Sequence, residues 1–163
     1  VACNGCCFRS DPCCRHNMAK YIFKIRWEKA PDGSESYSWQ FDNGVILKAD
    51  RGAAMIPGIV EPEAAFVASL ASCHMLSFMA QAAKRGLNVI RYHDTSTGVL
   101  EKNRAGRICV TRVLLQPQVE FSVPVDTTTL QELQDAAHAK CFIANSSTAQ
   151  VMIDSTLLPA SVI

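Results

Sequence analysis

Apolar residues alternate with basic or polar ones from Tyr21 to Trp27, the two-residue period of a half-buried strand. Pro31-Asp32-Gly33-Ser34 is turn chemistry, and Tyr37 to Phe41 alternates again. Asp42-Asn43-Gly44 predicts a tight hairpin into Val45 to Lys48, so the chain is expected to open as an antiparallel meander. Asp50 to Val60, with Gly52, Pro57 and Gly58, reads as a loop.

A change of period follows. Pro62 fits a first helical turn, Glu61 and Glu63 suit its positive end, Lys84 and Arg85 suit the negative end, and Gly86 predicts a left-handed stop. The run Ala64 to Ala83 between them is uncharged and apolar nearly all round. It nears membrane-span length, but Ser69, Ser72, His74, Ser77 and Gln81 favour a core helix, and burial on so many sides suggests a second copy as the cover. Two long extended segments come next, Asn88 to Glu101 and Arg107 to Val123, joined by a turn over Lys102 to Gly106. A second helix is expected from Asp126 or Thr127, with Leu130, Leu133, Ala137 and Cys141 on its buried stripe. Ala149 to Leu157 reads as a final strand. This order of strands, long helix, strands, helix and strand is an α+β domain, a largely antiparallel sheet with helices against one face.

Composition removes several alternatives. The chain has 163 residues and a formal net charge of +1. That is one domain's length, with no basic field to draw nucleic acid or anionic lipid. Of the eight cysteines, Cys3, Cys6, Cys7, Cys13 and Cys14 crowd the first seventeen residues; Cys73, Cys109 and Cys141 are too scattered for a disulfide scaffold. The segment 1–17 lacks the apolar stretch of a secretory signal and is read as a leader or tag outside the fold, with 18–163 as a single domain. A soft-metal site on its thiols is the competing reading. Cys109, inside an expected strand, is by default a small buried hydrophobe.

Cys73 and Cys141 hold the candidate chemistry. A reactive thiol needs its thiolate stabilised by a cation or a helix N-terminus. Cys73 lies about three turns into its helix, too deep for the terminus to act alone. Glu63 could orient an arginine against the sulfur, with Arg26 and Arg51 as candidates. His74 points about 100° from Cys73 and fits a hydrogen-bonded core or interface histidine better than an ion-pair partner; His138, three residues before Cys141, could reach that sulfur. A hydrolytic Cys-His nucleophile lacks an oxyanion-hole signature, and the Cys and His spacings are not those of structural zinc.

Glu61-Pro62-Glu63 followed by Ala71-Ser72-Cys73-His74, and His138-Ala139-Lys140-Cys141-Phe142-Ile143-Ala144-Asn145, resemble the paired cysteine motifs of the OsmC/Ohr family (osmotically inducible protein C and organic hydroperoxide resistance). The resemblance runs from Lys20 to Asp154 and points to an OsmC-like branch. It implies an intertwined homodimer with two sites at the subunit interface, acting in the cytoplasm as a thiol-dependent peroxidase on organic hydroperoxides, with no metal, haem or flavin and no nucleic-acid or membrane partner. Cys73 would be the attacking thiolate and Cys141 its disulfide partner, with an external dithiol such as a lipoylated protein as reductant and Glu63 holding the arginine. Neither candidate arginine sits in the family's arginine context; Arg51 is preferred over Arg26 because its loop leads into the Glu63 helix. A non-catalytic redox-sensing or apolar-ligand-binding module, using the same interface pocket, is the alternative reading.

Overall fold

The computed structural model describes residues 20–49 and 57–159. The opening meander forms as expected: β1 (Phe23–Lys29), β2 (Glu35–Phe41) and β3 (Ile46–Ala49) pair antiparallel. A short β4 (Ile59–Val60), inside the segment expected to be loop, adds in parallel to β3. The register places Phe23, Ile25 and Trp27 opposite Phe41, Trp39 and Tyr37, so one face of the ribbon is aromatic and aliphatic. Phe23 packs its ring 5.5 Å from Phe41 and 5.9 Å from Trp39. The opposite face carries Lys24 and Arg26. Every residue of β1 is exposed, so this apolar face has little cover within one chain.

Helix α1 (Pro62–Lys84) starts on proline with Glu63 in its first turn and ends with Lys84 in its last, and Gly86 takes the left-handed conformation just beyond. By length and composition it could cross a membrane. Its burial is confined to one stripe, Leu70, His74, Phe78 and Ala82, at four-residue steps. The expectation of a helix covered on most sides therefore fails within a single chain. The stripe packs on α2 (Thr127–Lys140), which presents Leu130, Leu133, Gln134 and Ala137. Asp126 caps α2, its carboxylate accepting the Thr129 N–H at 2.7 Å. A one-turn helix α3 (Phe142–Asn145) follows directly.

The three remaining extended segments form a creased sheet. Asn88 to Glu101 divides into β5 (Val89–Asp94) and β6 (Thr97–Lys102), Arg107 to Val123 into β7 (Ile108–Leu115) and β8 (Pro117–Phe121), and the last into β9 (Gln150–Ile153) and β10 (Thr156–Leu157). One half orders β10-β8-β5 and the other β6-β7-β9. The breaks align: Asp94 pairs with Pro117 on one side and Thr97 with Leu114 on the other, in unbroken register. Pro117 lacks an N–H for the ladder, and the Gln116 N–H is accepted by the Asp94 side chain at 2.8 Å instead. The segment 150–157 runs parallel to the middle one, so this sheet is mixed, with the antiparallel pairing of its other two segments predominating as expected.

Two apolar clusters anchor the helices to the sheet. Phe78 and Ala82 meet Val119, Phe121, Leu130, Leu133 and Ala137 under one half. Leu70 meets Val113 and Leu115 under the other, with Phe66, Ile143 and Val151 around it. Gly98 on β6 lies so near α1 that a Cβ there would run into the Val67 side chain.

Candidate functional site

The packing of α1 on α2 and α3 brings two thiols together. Cys73 projects from the middle of α1 and is partly exposed, while Cys141 is fully buried. Cys141 was expected on the buried stripe of the second helix; it stands one residue past the end of α2 and caps both α2 and α3. Burial is retained because the chain turns inward there. The Cys141 Sγ accepts the Ala144 N–H at 3.4 Å and lies 4.0 Å from the Leu70 carbonyl. Desolvation first, and then the neighbouring Cys73 thiol, push its pKa up to about 11. At neutral pH it keeps its proton. The two sulfurs are thus in contact and reduced, one open to solvent and the other closed off.

Behind the thiols lies a polar patch in the α1–α2 interface. His74 is fully buried, and its Nε2 lies 2.7 Å from the Gln134 Oε1. The expected core histidine is what the structure places there. Desolvation lowers the His74 pKa, partly offset by Gln134, so the ring is neutral. The His138 ring sits 6.5 Å from that of His74, and the Cys141 N–H donates to the His138 carbonyl at 3.1 Å. Cys109, second residue of β7, is half-buried and not the buried hydrophobe expected.

The remaining predicted residues are not gathered around Cys73 in one chain. Glu63 and Cys73 lie ten residues apart on the same helix, an axial rise of about 15 Å. Arg26 is on the solvent face of β1, 3.8 Å from Glu28 in an exposed pair. Arg51 lies outside the described residues.

Glu63 instead lines a cavity of about 710 Å³ between α1 and the crease of the sheet. Ala64, Val67, Ala68, Ala71 and Met75 form its α1 wall. At 100° per residue these positions lie about half a turn around the helix from Cys73. Thiols and cavity therefore occupy opposite flanks of α1. The sheet side contributes Tyr92, Asp94 and Ser96, whose Oη, Oδ2 and Oγ atoms are buried with no hydrogen-bond partner among the described residues. Sequence reasoning missed these three. Their signal is alternation: positions 92, 94 and 96 share one face of a strand, and all are polar where a core-facing strand is ordinarily apolar.

The model of the OsmC-like protein family matches residues 57–156. Among solved structures, an OsmC-like protein of unknown function from Vibrio cholerae is 34% identical over 86% of this chain and all of its own, with a TM-score of 0.75. An OsmC-like protein from Mycoplasma pneumoniae shares 20% identity over 87% of this chain and 99% of its own, at a TM-score of 0.71. The organic hydroperoxide resistance protein OhrB of Bacillus subtilis shares 19% identity over 86% of this chain and 98% of its own, at a TM-score of 0.61. No curated protein matches the chain. By the family match and the Vibrio cholerae likeness together, the chain belongs to the OsmC-like family.

Proposed function

We propose that this protein is a thiol-dependent peroxidase that reduces organic hydroperoxides to alcohols in the cytoplasm. The observation that carries the reading is the contact between a partly exposed Cys73 and a buried, protonated Cys141. The Cys73 thiolate attacks the terminal peroxide oxygen; the O–O bond breaks, the alkoxide takes a proton to leave as alcohol, and Cys73 becomes a sulfenic acid. The Cys141 sulfur then attacks the Cys73 sulfur. Its own proton leaves with the hydroxide as water, and a Cys73–Cys141 disulfide remains. An external dithiol, such as a lipoylated protein, exchanges with that disulfide and restores both thiols. The closed environment of Cys141 suits the second role, since a protonated, buried thiol does not compete for peroxide.

The cation that stabilises the Cys73 thiolate comes, in this reading, from an assembly of two copies. Glu63 cannot hold an arginine against the Cys73 of its own chain across about 15 Å of helix. A second copy resolves this and covers the apolar surface left bare: Phe23, Ile25 and Trp27 are 46%, 62% and 59% exposed, and Leu76 on α1 is 65% exposed. Arg51, in the segment leading to Glu63, is the preferred cation and Arg26 the other candidate.

Mixing the reduced protein with cumene hydroperoxide and dihydrolipoamide tests the proposal. Turnover in the native chain, absent in Cys73→Ser, is the expected result. Peroxide loss at the buffer rate, or an undiminished rate in Cys73→Ser, refutes it. A single disulfide per chain with no turnover would make the pair a redox sensor instead.

A further inference from the structure

We infer that His138 is the proton carrier for Cys141, taking up its proton when the disulfide closes and returning one when the disulfide opens. The inference deepens the peroxidase reading and rests on it for the Cys73–Cys141 pair. The need arises from burial. Cys141 is fully buried and its pKa stands at about 11, yet its sulfur sheds a proton to attack and leaves as a thiolate when the reductant arrives. A thiolate of such high basicity leaves slowly unless it is protonated as it goes. Solvent does not reach the sealed sulfur, so the proton has to travel by way of a side chain.

Placement selects His138. It lies in the last turn of α2, three residues before Cys141, and its carbonyl accepts the Cys141 N–H at 3.1 Å. Its Nδ1 is sealed without a hydrogen-bond partner among the described residues, while the residue as a whole is half-buried. The side chain therefore reaches from the closed side of the helix interface toward solvent, and imidazole trades protons near neutral pH. His74, whose ring stands 6.5 Å away, is the wrong ring for this task. It is fully buried, its Nε2 is held at 2.7 Å from Gln134, and desolvation disfavours its charged form. The other titratable groups nearby are Cys73 on α1, Asp94 on β5, whose charge reaches His74, and the exposed Asp135 and Lys140 on α2; α3 carries none.

On closing, the Cys141 sulfur bonds to the Cys73 sulfur as the S–O bond of the sulfenic acid breaks. The Cys141 proton passes to the His138 Nδ1, directly or through one water, and the released hydroxide takes up the equivalent proton to become water. On opening, a reductant thiolate bonds to the Cys73 sulfur, the S–S electron pair moves to Cys141, and protonated His138 supplies the proton there. The reductant's second thiol, losing its own proton to solvent, then closes the reductant disulfide and releases the Cys73 thiolate.

Reopening of the disulfide tests this without any peroxide. Diamide, an azo oxidant that takes up the two thiol hydrogens, makes the bond in the full chain, and intact mass verifies it. Dithiothreitol then reopens it, followed by acid quench and mass. Per reductant thiolate, the native rate is expected to fall as the pH rises from about 6 to about 9. His138→Gln should be about a hundredfold slower at the low end, with that fall abolished. Imidazole in the buffer should restore part of the rate in His138→Ala, which also serves if His138→Gln does not fold. Native rates in the variants overturn the inference. So does a slowed variant that keeps the native pH profile and gains nothing from imidazole, the mark of a merely structural role. If diamide closes no bond in the native chain, the thiol pair fails and the inference with it. Reopening that depends on His138, in a chain that leaves cumene hydroperoxide unconsumed, supports the inference and sinks the peroxidase reading alone.

Discussion

Replacing Gln134 by Leu would leave the His74 ring buried with its Nε2 unmatched. Both side chains are fully buried, and the 2.7 Å bond between them links the packed faces of α1 and α2. Leaving one buried ring nitrogen without a partner costs about 1–3 kcal/mol, partly offset by the apolar leucine. For a chain of this size that corresponds to a fall in melting temperature of about 2–12 °C. The pH dependence separates this from a loss of packing. The His74 pKa is lowered in the folded state, from desolvation first, so between the unfolded value near 6.5 and the lower folded value the unfolded chain binds the extra proton. Stability is therefore highest above about pH 6.5 and declines as the pH falls, at up to about 1.4 kcal/mol per unit. Because Gln134 raises the His74 pKa, its loss lowers that pKa further and extends the decline to lower pH. Urea unfolding at fixed protein concentration, at pH 7.5, 6.0 and 5.0, reads both effects. If Gln134→Leu matches the native chain at pH 7.5 within about 0.3 kcal/mol, or if His74→Asn leaves the acid decline intact, the buried pair does not have the role argued for it.

Other expectations rest on single contacts. Phe78 is fully buried at the meeting of α1, α2 and the sheet, and Phe78→Ala should cost about 3–5 kcal/mol in chemical unfolding. Gly98→Ala forces Val67 or β6 to shift and should destabilise by about 1–3 kcal/mol, whereas Gly98→Ala paired with Val67→Ala should recover part of the loss. Asp126→Ala removes the cap of α2 and should lower the melting temperature; since the Thr129 backbone bond lowers the Asp126 pKa, that contribution is lost as the pH falls below the usual carboxylate value near 4. Iodoacetamide at pH 8, followed by peptide mass mapping, should label Cys73 well before Cys141, whose thiol is buried and titrates near 11; equal labelling would contradict the burial of Cys141.

The elements legible in the sequence were those whose signals are local. Pro62, Glu63, Lys84 and Gly86 bound α1 by cap and dipole chemistry, and the structure starts and stops the helix there. Asp42-Asn43-Gly44 marked its hairpin, with the Phe41 N–H reaching the Val45 carbonyl at 2.9 Å. The crease was not legible. Alternation continues through Thr95, Gln116 and Asp154, and only Pro117 hints that the ladder is interrupted. Cys141 shows the limit of periodicity: its spacing from Leu133 and Ala137 fits the stripe, yet the chain leaves the helix at that residue, and burial comes from the turn into α3. The contact of Cys73 with Cys141 depends on how α1 crosses α2, a tertiary quantity that no helical period contains. The placement of Glu63 against the cavity was not legible either: ten residues at 100° each bring it within about 80° of the direction of Cys73, and its distance from that sulfur comes from the axial rise.

The unbroken register across the crease makes the turn at Lys102 to Gly106 the common origin of two sheets. Strand pairing starts at Lys102–Ile108, shifts by one residue at a bulge between Val99 and Leu100, and then holds one register through Thr97–Leu114 to Asp94–Pro117, with a second bulge between Val89 and Arg91. A residue inserted in that turn would therefore displace the pairing at both ends of the hairpin. It would rotate Tyr92 and Asp94 away from α1 although they lie far along the chain from the insertion. A residue inserted at Thr95 would disturb only the β5 half. Length changes in this hairpin are thus unequal in reach, and the turn at Lys102 to Gly106 has wider control over the cavity's polar end than the break at Thr95.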